Sequence, residues 1–218
     1  MLRSASALVA SSVALLLYAA GALPNTVAAS GDRSQGRPGA TAPGQVKALA
    51  SGKLLVASRE LRDPNFAETV VLVIDYDKDG AAGLIVNVPT DVSLSRVFDD
   101  VSLGANATLK AFAGGPVARD HALALVRSRP GLTGVRTIVP GIDLVSSRER
   151  LEQTLLSAAD SDRFRIYLGR AGWGPGQLER ETERGAWHVF EAQADLVFDS
   201  HPDTVWRRLI RRVELPQA

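Results

Sequence analysis

The residues best placed for chemistry fall in one glycine-rich stretch, Gly169-Arg170-Ala171-Gly172-Trp173-Gly174-Pro175-Gly176-Gln177-Leu178-Glu179. An alternating apolar run, Phe164 to Leu168, precedes it and reads as a strand. A charged amphipathic segment starts at Gln177 and reads as a helix, with Pro175 suited to its first position, where a missing N–H costs nothing. A strand, a glycine turn and a helix entry leave backbone N–H groups that can hold an anion. The same residues also have an architectural reading. The glycines then admit close backbone approach, Trp173 fills core, and Gln177 or Glu179 satisfies orphan donors of the first turn. The stretch has no Gly-Lys-Ser/Thr ending and no dinucleotide fingerprint, so it is not a nucleotide loop of either kind.

Other chemistries find less support. His121, His188 and His201 are far apart, without HxH or HxxxH spacing, so no metal site is expected. The absence of cysteine excludes disulfides, thiolate ligands, thiol nucleophiles and lipoprotein acylation. No G-x-S-x-G elbow occurs. Ser58, beside Arg59 and Glu60, reads as part of a solvated loop. Asp63 and Glu179 are carboxylates of the kind that serve as general acid and base. Asp63 before Pro64 is also an ordinary turn, and Asn87 can simply bond backbone. No catalytic residue, cofactor or metal is therefore assigned.

The chain has 218 residues, 45% hydrophobic and 22% charged, the profile of a globular protein with one domain and an extension. Without residues 1–29, which carry only Arg3, basic and acidic side chains balance at 24 each. Such balance offers no general attraction to nucleic acid or anionic lipid. Arg3, the uncharged run from Ala5 to Leu23, and Val27-Ala28-Ala29 read as an export signal over 1–29. An uncleaved membrane anchor is the alternative, and a transit peptide a further one. The first two readings put the rest of the chain outside the cytoplasm, periplasmic, secreted or anchored. A flexible linker is expected over 30–44, a folded domain over 45–213 and a short tail over 214–218.

Strands are expected at Lys53–Ser58, Thr69–Tyr76, Ala81–Val88, Lys110–Ala113, Ala122–Arg127, Arg136–Val139 and Phe164–Leu168, with Ala186–Phe190 and Ala194–Phe198 extended. The turn Asp77-Lys78-Asp79-Gly80 predicts a hairpin. Short helices are expected from Leu94 and after Ser146, where Glu149 completes a capping box. The latter puts Leu151, Leu155 and Leu156 on one side. A last helix follows Ser200, with Val205, Leu209 and Val213 as its stripe and arginines on its far face. The core is expected to hold Leu55, Val71, Val73, Leu84, Val86, Phe112, Ile166, Leu168, Phe198 and Leu209. Irregular helices among many strands point to an α+β fold.

The glycine-rich stretch resembles the AGWGxGQLExE signature of the bacterial YqgE/AlgH family. The resemblance runs from about Gly52 to Arg212, through Gly52-Lys53-Leu54-Leu55-Val56-Ala57, the L-x-D-P-x-F of Leu61 to Phe66, Gly80 to Asn87, and Gly114-Gly115-Pro116-Val117. Trp187, Leu196-Val197-Phe198-Asp199 and Trp206 follow at similar spacings. It implies a branched, mostly antiparallel sheet curled into a pseudo-barrel with peripheral helices. It also implies a cleft shared by Asp63, Pro64, Asn87, Gly114 and Gly115, with Trp173, Gln177 and Glu179 at the helix entry. Family members are sometimes labelled transcriptional regulators, but no helix-turn-helix pattern is present and no nucleic-acid partner is expected. Many members carry His where this chain has Tyr76, Arg where it has Val88, and a further His where it has Arg127. Two functional readings follow: a non-catalytic binding or regulatory module for an unknown protein or small ligand, or a hydrolase-like enzyme using Asp63, Asn87 and Glu179. The membrane is a partner only if the N-terminal segment stays uncleaved.

Overall fold

A computed structural model describes residues 44–46, 48–131, 133–157 and 163–215. The expected export signal and nearly all of the linker lie outside these residues. In chain order the strands are β1 (Gln45–Val46), β2 (Lys53–Ala57), β3 (Val70–Asp77), β4 (Gly80–Ile85), β5 (Pro89–Ser93), β6 (Lys110–Ala113), β7 (Val117–Arg127), β8 (Arg136–Val139), β9 (Ile142–Val145), β10 (Phe164–Trp173) and β11 (Trp187–Glu191). The helices are α1 (Leu94–Val97), α2 (Arg148–Ser157), α3 (Gln177–Glu183), α4 (Ala194–Val197) and α5 (Pro202–Glu214), with a 3-10 turn at Gly104–Thr108.

The strands run in the order β1-β11-β2-β3-β4-β10-β7-β9-β8, and β6, paired to β5, joins at β10. Among the described residues, only the β6–β10 pair is parallel. β2 and β3 are central, and Leu54 to Ala57 and Val70 to Val73 are completely buried, which explains their unbroken apolar runs. The sheet forks at β10. One edge pairs β7. The other pairs β6 at Tyr167 and Leu168, then β4 at Ala171 to Trp173. A bulge between Leu168 and Arg170 makes the hand-over. Gly169 there has φ 71°. A Cβ on Gly114 would lie 2.2 Å from the Gly169 carbonyl oxygen, so the two glycine motifs meet backbone to backbone at the fork.

The far end of the sheet curls back without a ladder. Arg136 of β8 donates to the Ile74 carbonyl at 3.0 Å and pairs with Asp75 at 3.1 Å. Gly52 faces Val139 so closely that a Cβ would meet its Cγ1 at 2.4 Å. The result is a half-barrel of mostly antiparallel strands with a few helices, the expected α+β fold. α5 closes the β2 side, where the Trp206 indole N–H donates to the Ala57 carbonyl at 2.8 Å. A second apolar cluster joins Leu151 and Leu155 of α2 to Ala124, Val145 and Ile166.

Several local expectations change. β10 continues to Trp173, because the bulge at Gly169 redirects the strand rather than ending it. Pro175 precedes α3: with Gly176 at φ 67°, ψ 4° and Gln177 N–H donating to the Gly174 carbonyl at 3.0 Å, it occupies the second position of a type II turn. Ala194–Val197 is one helical turn, not extended; this drops both Val197 and Phe198 into the core. Ser147, not Ser146, reaches the first turn of α2, with its Oγ accepting from Arg150 N–H at 3.4 Å. Leu156 is 62% exposed, since it lies off the face shared by Leu151 and Leu155. Ser58 is buried rather than solvated. Phe112 and Leu168 are only partly buried, and each lines a cavity.

Candidate functional site

The 61–69 segment is shaped by its own side chains. Asp63 Oδ1 accepts the Asn65 N–H at 2.8 Å, and the Asp63 carbonyl accepts from Phe66 and Ala67. That turn delivers Phe66 to Trp173, stacked at 5.9 Å, and to Trp187, edge-on at 5.7 Å. Both indole N–H groups donate to Glu181 Oε2 at 2.9 Å. Gln177 donates to Glu181 Oε1 at 2.9 Å and accepts the Gly174 N–H at 3.1 Å. The two sequence motifs therefore meet in one aromatic cluster pinned by Glu181. Sequence reasoning passed over Glu181, although two indoles in apolar segments demand an acceptor.

Beside this cluster opens a largely apolar cleft of about 580 Å³, bounded by Pro64 and Asn65, by Ile85 and Val88, and by Gly115 to Arg119 and Leu168. Arg119 is the charged side chain on its lining and makes no hydrogen bond or ion pair to a described residue. Among the described residues, two non-glycine residues hold left-handed backbone, Glu68 (φ 58°) and Ala118 (φ 51°). They alternate with cleft-lining neighbours Ala67, Thr69 and Arg119. Asn87 braces the first: its Nδ2 donates to the Glu68 carbonyl at 3.0 Å, and its Oδ1 accepts the Val70 N–H at 2.7 Å.

A second cleft, of about 540 Å³, lies among β1, β11 and α3. There the Tyr76 hydroxyl donates to Glu179 Oε1 at 2.6 Å. That bond holds the Glu179 carboxyl below the usual carboxylate range and raises the Tyr76 hydroxyl, with desolvation adding to the latter. His188, on the same lining, is lowered by burial against the opposing pull of Glu60 and Glu214.

The eight residues singled out from sequence do not converge on one cleft. Pro64 and Gly115 line the first; Asp63, Asn87 and Gly114 build the backbone around it. Trp173 is buried in the aromatic cluster, Gln177 caps the turn, and Glu179 belongs to the second cleft. Among the described residues no group of three or more His, Asp or Glu could hold a metal ion.

The family model described as AlgH-like, DUF179, matches residues 54–218. The chain belongs to the AlgH-like family. A UPF0301 protein of Streptomyces coelicolor is 38% identical over 168 residues, 74% of this chain and 86% of that protein. One from Anaeromyxobacter dehalogenans is 36% identical over 180 residues, 78% and 90% of the two chains. The solution structure of the AlgH protein from Pseudomonas aeruginosa superposes with TM-score 0.64 at 26% identity, covering 78% of this chain and 94% of that one. A crystal structure from Corynebacterium diphtheriae, at TM-score 0.65 and 23% identity, covers 76% and 88% and shares the fold. Within the AlgH-like frame, the LxDPxF and GGPV motifs of this chain bound the first cleft, and the AGWG motif carries the aromatic cluster behind it.

Proposed function

We propose that this AlgH-like protein is a non-catalytic binding or regulatory module that receives its ligand in the cleft between the 61–69 turn and Gly115–Arg119. The observation carrying this reading is the placement of both left-handed non-glycine residues, Glu68 and Ala118, next to that lining. Each such conformation costs roughly 1–3 kcal/mol and persists only where surroundings enforce it. Apolar walls and one uncommitted guanidinium suit a ligand with an apolar body and a negative group. The hydrolase reading is weaker because its three residues are separated. Asp63 and Asn87 are committed to backbone, and Glu179 is bonded to Tyr76 in the other cleft.

Under the same proposal the domain is exported, on the strength of Arg3, the Ala5–Leu23 run and Val27-Ala28-Ala29. A reporter fused after residue 45 and followed by fractionation tests this; a soluble cytoplasmic product still starting at Met1 rejects it. Binding is tested by capturing ligands or partners from the envelope fraction with wild type and with Arg119→Glu. Selective loss in the variant, at unchanged melting temperature, supports the cleft. Equal capture by both proteins rejects it.

A further inference from the structure

We infer that a third, separate cavity, between Phe112 of β6, Arg165 of β10 and the start of α5, binds a small carboxylate with an apolar body. The cavity holds about 280 Å³ and shares no lining residue with the cleft of the proposed function. Arg165 is only 9% exposed. Its guanidinium donates to the carbonyls of Val197 at 2.7 Å, Val86 at 3.5 Å and Asp199, and lies 4.7 Å from the Phe112 ring centroid. These are dipoles and a ring, not an anion, and a buried cation without a counter-charge is costly. Asp199 does not supply one: its carboxylate takes Arg208 and the His201 N–H. The Tyr167 hydroxyl lies within hydrogen-bonding reach of Arg165 but is kept neutral by full burial, so it offers an acceptor and no counter-charge.

Donor geometry completes the case. A guanidinium has five N–H donors. Backbone carbonyls take both Nη1 protons and one Nη2 proton, leaving Nε–H and the second Nη2–H with no acceptor beyond the neutral Tyr167 hydroxyl among the described residues. Two such donors can grip a carboxylate in a two-pronged bond. Lys110 stands on the same lining, its ammonium held at 3.1 Å from the Asp91 carbonyl. Pro202 begins the 13-residue α5 there, adding the partial positive charge of a helix start. The acidic side chains nearby in sequence, Asp91 and Asp203, are exposed. Leu94, Phe164 and Ile166 supply apolar wall for the ligand body.

The test is a titration of the purified full chain with benzoate, read by amide chemical shifts and melting temperature. Benzyl alcohol serves as the uncharged counterpart and inorganic phosphate as an anion without apolar body. The expected result is saturable benzoate binding that shifts Phe112 and Arg165, with both controls at least about tenfold weaker. Lys110→Met, an exposed position, should weaken benzoate at least about threefold, and Arg165→Lys about tenfold or more. Arg119→Ala should leave the benzoate-induced shifts of Phe112 and Arg165 unchanged, separating this cavity from the other cleft. Benzyl alcohol or phosphate binding as tightly as benzoate, shifts centred elsewhere, or no saturable response overturns the inference. So does Lys110→Met binding like wild type, which decides the matter even if Arg165→Lys fails to fold.

Discussion

Replacing Gly114 by alanine should damage the fold far more than the same change at Gly172, although both glycines belong to the motifs that mark the chain. A Cβ at Gly114 would sit 2.2 Å from the Gly169 carbonyl oxygen and 3.0 Å from Tyr167 Cβ. The first obstacle is backbone at the fork of the sheet, so no rotamer change relieves it. Overpacking of this kind costs about 1–3 kcal/mol and occasionally more, against a total stability of roughly 5–15 kcal/mol. For a domain of this size about 1 kcal/mol moves the midpoint by roughly 2–4 °C. Gly114→Ala should then melt about 6–12 °C low, taking the upper end of that cost. A Cβ at Gly172 meets only Val117 Cγ2 at 3.8 Å, an ordinary contact. Gly172→Ala should lie within about 1 kcal/mol of wild type, and can gain slightly by restricting the unfolded chain. Thermal and urea denaturation followed by circular dichroism measure both. Equal midpoints, or Gly172→Ala as the worse variant, would refute the backbone-contact argument.

Further outcomes follow from the same geometry. Glu181→Leu leaves the Trp173 and Trp187 N–H groups without their acceptor and should cost about 1–3 kcal/mol per unsatisfied donor, with altered tryptophan fluorescence. Because Glu179 has a lowered pKa in the folded state, its bond to Tyr76 stabilises above the unfolded value near 4.3 and fades as pH falls through the folded one. The gap in stability between wild type and Tyr76→Phe should thus be constant from about pH 6 to 8 and shrink below about pH 4; a gap independent of acid would contradict the pairing. Leu84→Ala and Ile166→Ala, fully enclosed, should each lose about 2–5 kcal/mol in urea titrations. Arg119→Ala, with nothing to release, should stay within about 0.5 kcal/mol of wild type by the same assay.

The fold was largely legible because its central strands are apolar on both faces and its turns carry glycine. Leu54–Ala57 and Val70–Val73 could hardly lie anywhere but mid-sheet. What sequence could not show was the non-local part. Gly169 looks like a strand stop, yet its positive φ serves a bulge that lets one strand serve three partners. Close backbone approach is expected of the glycines around Trp173 as a group, yet Gly172 and Gly174 have open surroundings, whereas Gly114, Gly115 and Gly169 carry close backbone contacts. Four residues around 194–197 have too little length for periodicity to separate strand from helix. At the site, the turn role of Asp63 and the bracing role of Asn87 follow from their residue types. Glu181, Arg119 and Arg165 acquire meaning only from what surrounds them in three dimensions.

The most direct test of the binding account is an amide-shift footprint of whatever ligand or partner the envelope capture yields. On the account given, shifts concentrate at Asn65, Val88, Gly115 and Arg119, vanish in Arg119→Glu, and accompany no turnover of the ligand. A footprint centred on Tyr76, Glu179 and His188, or consumption of the ligand that stops in Glu179→Ala, would contradict it.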